Sequence, residues 1–576
     1  MGRPAAEWFA ERGLSLADAD PAAAVQAAAG LAGGAAPGGA ARGVRDIQRA
    51  PLFPVLAAAE LSGDWVRGML PGGGADSGFG RRWLAADRLS AEGISARANL
   101  DRLYGQRRAL RDASLPSLAA NAARSVFYQL DLKRLAGDWV RAGLEAPPPP
   151  AAGAAADLRF RDAMFRSELA RRRGGDGEPE SRRAFGELRA ALLASADWRT
   201  EPRLGVLADQ IVWGRSPARL DLAGGWSDTP PYCILNGGRV VNLAVDLNGQ
   251  PPLQVFIRRS DRPAIVLRSI DNGGSEEIAD YAALDRPAAP GSAFAVPRAA
   301  LALAGFHPRF QLSPYPSLER QLREFGGGLE LSFLAAIPKG SGLGTSSILA
   351  ATLLGSLSDY CALGWTKADI CRRTLILEQL LTTGGGWQDQ YGGALPGVKL
   401  LTTEPGWQEA VDVRWLPDRL FAHPDTKELW LLYYTGITRA AKAILAEIVA
   451  GMFLNDRVRL ARLDDIRAHA DAAAAAIQKC SWEETGRVIA RSWELNKALD
   501  PGTATPEIDA VVGRVADLAY GQKLLGAGGG GYLLIAAKDR EAARRIRERL
   551  AAAPANPAAR FVEPSLSAEG FQLSRS

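Results

Sequence analysis

A chain of 576 residues, 47% hydrophobic and 23% charged, has the make-up of an ordinary soluble globular protein and enough length for three or four domains. Its net charge of +5 is scattered, and the one tight basic cluster, Arg171-Arg172-Arg173, lies in a polar Gly-rich stretch, so no nucleic-acid partner is expected. The cysteines at 233, 361, 371 and 480 and the histidines at 307, 423 and 469 are too dispersed for a disulfide framework, a zinc site or a histidine base. With no signal-peptide start and no window of about 20 apolar residues, a cytoplasmic protein without a membrane partner is expected.

Residues 1 to 44 are rich in Ala and Gly and predict a mobile arm. From Arg45 to about Glu145 the apolar spacing is helical, with breaks expected at Pro71 to Gly74 and at Leu115-Pro116. The pentapeptide Gly-Asp-Trp-Val-Arg occurs at Gly63 to Arg67 and again at Gly137 to Arg141, an echo of a repeat or a coincidence. Pro147 to Pro150 reads as a spacer of polyproline type, and Asp157 to Trp198 as a second helical passage broken at Gly174 to Pro179. Near residue 205 the texture changes. Strand-like runs at Val240 to Val245, Leu253 to Ile257 and Ile265 to Leu267 then alternate with helices. This gives a body over 205–400 and, over 401–576, a second α+β domain with strands at Leu429 to Tyr434 and Tyr532 to Ala536 and a closing helix near Glu541 to Leu550.

The body opens with Arg219-Leu220-Asp221 and the turn Gly224-Gly225-Trp226-Ser227-Asp228. A carboxylate such as Asp228 can accept two hydroxyl hydrogen bonds, and Trp226 offers a flat apolar face, a pair that suits a sugar as well as an Asx turn. Next comes Pro338-Lys339-Gly340-Ser341-Gly342-Leu343-Gly344-Thr345-Ser346-Ser347, opening an apolar helix from Ile348 to Leu357. Glycines let a backbone approach a ligand, the first helical amides have no internal partner, and the hydroxyls suit Mg²⁺, so the run reads either as a nucleoside triphosphate site or as a Gly/Ser turn capping a buried helix. It is not the P-loop, because Lys339 precedes the glycines.

Thr366 to Leu381 is predicted as a helix begun by a capping box, Thr366 with Asp369. Glu378 falls on its apolar side and needs a partner, a metal ion or an arginine. Asp389, between Gly384 to Gly386 and Gly392-Gly393, fits either a cleft or a surface turn. Four glycines, Gly528 to Gly531, precede the strand at Tyr532 and indicate close backbone approach to a ligand or to another chain segment.

Together and in this order, these segments over residues 205 to 576 resemble the GHMP kinase superfamily. The resemblance implies an α+β fold of two domains, ribosomal-protein-S5-like then ferredoxin-like, preceded by the helical region. It implies ATP bound by Pro338 to Ser347 with Gly528 and Gly529, Mg²⁺ bound by Ser346 and Glu378, Asp389 as base beside Arg219, and a sugar gripped by Asp228 with Gly225 and Trp226. Galactokinases carry Glu-His where this chain has Gly225-Trp226. The strings Leu222 to Pro231, Asn242 to Pro252 and Gly384 to Gln390 are instead similar to the fucokinase family, and Ile94 to Tyr104 and Ser125 to Leu130 resemble the segment joining the two activities of its bifunctional members. The implied activity is ATP-dependent phosphorylation of the C1 hydroxyl of L-fucose, without pyrophosphorylase activity, since no Gly-x-Gly-x-Arg-Leu signature precedes it. A heptose 7-phosphate kinase is the near alternative, and a non-catalytic sugar and ATP sensor the one from another class. A homo-oligomer is left open.

Overall fold

A computed structural model of the chain describes residues 5–19, 49–57, 59–70, 78–97, 99–122, 124–151, 153–285, 292–338, 340–381, 385–437 and 441–576. Most of the Ala/Gly-rich arm, the break at Pro71 to Gly74, Lys339, and Thr382 to Gly384 lie outside the described residues. The chain divides into two compact units, Met1–Ser114 and Leu115–Ser576.

The first unit is built on a small core in which Phe9, Phe79 and Trp83 are buried. Gly68 abuts the Phe79 ring, which a Cβ would strike at 2.1 Å. The repeated pentapeptide begins one helix, Gly63–Met69, and ends another, Leu132–Arg141, so its two copies share a helical state but not a place in a common motif. The break expected at Leu115-Pro116 is not one. Helix Leu100–Ala120 runs through Pro116, with Leu115 and Ala119 buried. Proline lacks one N–H, and here core burial outweighs that loss.

The second unit begins with α1 (Leu132–Arg141), α2 (Ala156–Arg172) and α3 (Glu178–Leu193). The Pro147 to Pro150 stretch between them is tied down rather than free, because Arg166 donates to the Pro147 carbonyl and Trp139 Nε1 donates to the Glu145 carbonyl at 2.7 Å. Strands β1 (Ile211–Ser216), β2 (Ala218–Ala223), β3 (Gly238–Leu247), β4 (Leu253–Ser260), β5 (Ile265–Ser269), β6 (Ser275–Ile278) and β7 (Gly328–Ala335) follow. Then come α4 (Thr345–Tyr360), α5 (Lys367–Leu381), α6 (Gln388–Ala394), β8 (Val398–Thr403), β9 (Val411–Trp415) and β10 (Trp430–Tyr434). The chain continues through α7 (Ala441–Phe453), α8 (Arg457–Gln478), α9 (Trp482–Leu499), β11 (Ala519–Leu524), β12 (Tyr532–Ala537), α10 (Arg540–Ala552), β13 (Arg560–Val562), β14 (Pro564–Leu566) and β15 (Gln572–Arg575).

Three sheets result. One has the order β15-β1-β4-β7-β5-β6, antiparallel except for the parallel pair β5 and β7. A second has the order β9-β8-β3-β14, with β2 also paired to β3. The third, β11-β12-β10-β13, is antiparallel throughout. Strands β14 and β15 from the end of the chain thus complete sheets begun by its first half.

Period-two alternation explains the third sheet. Trp430, Leu432 and Tyr434 of β10 enter the large central core, while Leu431 and Tyr433 enter a second core with Ile546 and Leu550 of α10. The predicted capping box starts α5: Thr366 N donates to Asp369 Oδ2 at 3.0 Å, and Asp369 N donates to Thr366 Oγ1 at 3.2 Å.

The helical block α1 to α3 is not an appendage. Phe453, at the end of α7, packs between Phe160 and Phe185, with ring centroids 4.7 and 5.2 Å away. Beside it Leu132 N donates to the Leu454 carbonyl at 2.8 Å, Asn455 Nδ2 donates to the Tyr128 carbonyl at 2.7 Å, and Lys133 pairs with Asp456 at 2.8 Å. Truncating Phe453 to alanine should destabilise this junction by about 3–5 kcal/mol. A thermal melt is expected to show an earlier transition, and an unchanged melt would mean the block is held elsewhere.

Candidate active site

The run from Gly340 forms a turn in which Gly340, Gly342 and Gly344 all have positive φ, at 72°, 79° and 74°. Gly344 is the N-cap of α4 and no side chain caps that end, so its first amides are left for a ligand. The turn packs against the second glycine-rich turn: a Cβ on Gly342 would lie 2.2 Å from the Leu525 carbonyl oxygen, and one on Gly526 would lie 2.6 Å from Gly342 Cα. Tyr532 N donates to the Ser341 carbonyl at 3.1 Å. The two segments therefore form one structure.

Arg219, buried on β2, joins that turn to α6. Its Nε donates to Asp389 Oδ1 at 2.6 Å, Nη2 reaches the same oxygen at 2.6 Å, and Nη1 donates to the Gly342 carbonyl at 3.0 Å. Burial pulls the guanidinium pKa down, but the carboxylates of Asp389 and Asp221 outweigh it, and the net shift is upward. Gly392 leaves room for this side chain, since a Cβ there would lie 2.8 Å from Arg219 Cβ.

Asp228 is buried and held by the loop before Asp389. Its Oδ1 accepts from Trp226 N at 3.1 Å and from Gln388 Nε2 at 3.2 Å, and its Oδ2 accepts from Gln388 N at 3.0 Å. Gly386 must be glycine here, because a Cβ would sit 1.8 Å from Asp228 Oδ2. Gly225 likewise fits against Asp221 Oδ2, at 2.5 Å from its would-be Cβ. Trp226 adopts φ 86°, an uncommon conformation for a bulky residue and one often found at functional sites.

Glu378 projects from α5 towards the start of α4. The hydroxyl that reaches it is Ser347, which donates to Glu378 Oε1, and not Ser346. Ser346 lines the same cavity. Burial pushes Glu378 up to about 7 against the hydrogen bond from Ser347, and burial likewise pushes Asp228 up to about 7.

A single cavity of about 400 Å³ gathers these groups: Arg219, Gly225, Trp226, Asp228, Ser346, Ser347, Glu378 and Asp389 all line it. From the second glycine turn it is Gly526 and Ala527 that line the cavity. Gly528 and Gly529 turn instead to Thr503, where Gly529 N donates to the carbonyl at 2.7 Å. Sequence reasoning also missed Asp221, Thr229, Gln388 and an apolar wall of Leu377, Leu381 and Leu445. Asp221 had a signal, being two residues from Arg219 on a strand, whereas Leu445 arrives on α7 with none. Hydroxyl and carboxylate oxygens in one place suit a hard divalent cation. Among the described residues no three His, Cys, Asp or Glu side chains stand close enough together to hold a metal ion by themselves, so a cation would depend on hydroxyls and ligand phosphates for its remaining donors.

Two family models match parts of the chain. GHMP kinases N terminal domain matches residues 315–397, and GHMP kinases C terminal matches residues 473–556. Over these two stretches the chain is similar to GHMP kinases. It is 50% identical over all 576 residues to the L-fucokinase/L-fucose-1-P guanylyltransferase of Bacteroides fragilis, covering 58% of that protein. It is 32% identical over 338 residues to the bifunctional fucokinase/GDP-fucose pyrophosphorylase of Arabidopsis thaliana, covering 58% of this chain and 30% of that one. A D-glycero-alpha-D-manno-heptose 7-phosphate kinase of Campylobacter jejuni is 25% identical over 327 residues, covering 55% of this chain and 87% of that one. The chain thus spans little more than half of the Bacteroides protein and less than a third of the Arabidopsis one. No helix among the described residues is long and apolar enough to cross a membrane.

A carboxyl whose pKa is raised by folding binds more protons in the folded state, so it lowers stability as pH rises from its unfolded value to its folded one. For Glu378 that window runs from 4.5 to about 7, and the loss is on the order of 3 kcal/mol. Glu378→Gln is therefore expected to melt above the parent at pH 8, with the difference shrinking towards pH 5. A parallel pair of melting curves across that range would contradict it.

Proposed function

We propose that the chain is an ATP-dependent sugar kinase that transfers the γ-phosphoryl group to the anomeric C1 hydroxyl of L-fucose, giving fucose 1-phosphate and ADP. The observation that carries this reading is the convergence of Asp389, Asp228, Ser346, Ser347 and Glu378 on one cavity. The full-length similarity to the Bacteroides protein supports the choice of sugar. The four cysteines are free thiols, in keeping with a cytoplasmic enzyme.

In this mechanism Asp228 and Trp226 hold the sugar so that its C1 hydroxyl faces Asp389. Asp389 accepts the hydroxyl proton as the oxygen attacks the γ-phosphorus and ADP departs. Arg219 keeps the carboxylate aimed and, through the Gly342 carbonyl, fixes its distance to the phosphate turn. Ser346 and Glu378 would hold Mg²⁺, which would supply charge neutralisation on the phosphates. The apolar wall of Leu377, Leu381 and Leu445 suits the methyl group of a 6-deoxy sugar. Among the described lining residues Arg219 is the sole cation, and it is engaged by Asp389, which favours a neutral sugar over a heptose phosphate.

An ADP-release assay with L-fucose, galactose and a heptose 7-phosphate tests the reading. L-Fucose is expected to give the highest kcat/KM, and preference for the phosphorylated heptose would transfer the assignment. Binding of sugar and ATP without ADP release would make the chain a sensor. Asp389→Asn should cut kcat by roughly 10² to 10⁴ while leaving ATP binding nearly intact, and retained turnover would remove Asp389 from the role. Glu378→Gln should raise the Mg²⁺ concentration needed for half-maximal rate, as a metal titration of activity would show.

A further inference from the structure

Below the Arg219–Asp389 pair lies a second ion pair that the mechanism does not use. Lys523 Nζ donates to Asp221 Oδ2 at 2.8 Å, and the two side chains are 0% and 3% exposed. Asp221 follows Arg219 by two residues on β2, so both side chains lie on the same face of the strand, and Asp221 also borders the cavity. Lys523 comes from β11, three residues before Gly526, the glycine that packs on Gly342. Four charges thus alternate from the C-terminal strand to the base: Lys523, Asp221 and Arg219, all buried, and Asp389, which is 26% exposed.

A carboxylate in such surroundings cannot remain uncompensated. Asp221 Oδ1 has no hydrogen-bond partner among the described residues, and Arg219 feels the Asp221 charge second only to that of Asp389. Without Lys523, Asp221 would compete with Asp389 for the guanidinium and draw it off the base and off the Gly342 carbonyl. With Lys523 in place, Asp221 is neutralised and Arg219 is left to Asp389.

We propose that Lys523 is a positioning residue for the transfer reaction: by neutralising Asp221 it reserves Arg219 for Asp389, so that the strand delivering the second glycine turn also sets the geometry of the base. This rests on the kinase reading given above. The role is electrostatic, so removing both members of the Lys523–Asp221 pair should be far less harmful than removing Lys523 alone.

The test compares the full chain with Lys523→Met and with the double variant Lys523→Met/Asp221→Asn, measuring kcat and both KM values by ADP release with L-fucose, alongside thermal melting. Lys523→Met is expected to lose about 30-fold or more in kcat with both KM values within about 3-fold, and the double variant to recover to within about 5-fold of the parent. A merely structural role would move melting temperature and leave the kcat of the folded enzyme in place. The proposal is overturned if the single variant keeps the parent kcat, or if the double variant is no more active than the single. Should Lys523→Met fail to fold, the double variant decides: turnover near the parent supports the proposal, and turnover as low as that of Asp389→Asn overturns it. A parent inactive on all three sugars sinks the kinase reading and this inference with it, whereas an active parent with an unrescued double variant sinks this inference alone.

Discussion

A buried guanidinium is the constraint on which the site depends. Arg219 lies inside the body at 3% exposure, and a charge so placed must find its partners nearby or cost several kcal/mol. It finds them on two separate segments, the Asp389 carboxylate on α6 and the Gly342 carbonyl in the glycine-rich turn before α4. Its own backbone N–H donates to the Leu343 carbonyl at 3.3 Å. The planar fork of arginine can hold a carboxylate and a carbonyl at once, which a lysine could not do in a fixed orientation. The distance between Asp389 and the turn at Gly342 is therefore set by one side chain.

The glycines follow from this arrangement more than from any need for flexibility. Gly344 and Gly392 clear space around Arg219, Gly386 lets the backbone press against Asp228, and Gly342 and Gly526 let two turns touch. At Gly342, Gly386, Gly392 and Gly526 a methyl group would overlap backbone or a neighbouring side chain, and at Gly344 it would crowd Arg219 at 3.1 Å. Gly342, Gly386 and Gly526 thus serve one purpose, the close approach of segments far apart in the chain. Gly528 belongs to the same logic although it faces Thr503 rather than the cavity, because a Cβ there would lie 2.7 Å from the Thr503 carbonyl oxygen.

The extra helices have a structural consequence for the cavity. Phe453 fixes the end of α7 between Phe160 and Phe185, and the same helix carries Leu445 into the cavity wall. The wall of the pocket is thereby continuous with the core of α1 to α3, since all three phenylalanines belong to one hydrophobic cluster. The same cavity is lined by two carboxyls that burial pushes up to about 7, Asp228 and Glu378.

Much of this was legible in the sequence because it is local. The capping box at Thr366, the helix opened by the Gly/Ser turn, and the alternating strands at 430–434 and 532–537 depend on neighbours a few residues apart. The order of the glycine motifs also brought Asp389, Arg219, Asp228 and Glu378 to notice, although composition alone left each with an ordinary structural reading. Other features were decided only by tertiary packing. Whether Ser346 or Ser347 meets Glu378 depends on how α4 is rotated against α5, and a helix advances 100° per residue, so one position changes the partner. The pairing of Lys523 with Asp221 spans 302 residues, and that of Arg219 with Asp389 spans 170. No local pattern encodes such contacts. Core burial fixes them, because each buried charge must be matched by whichever opposite charge the packing brings within reach.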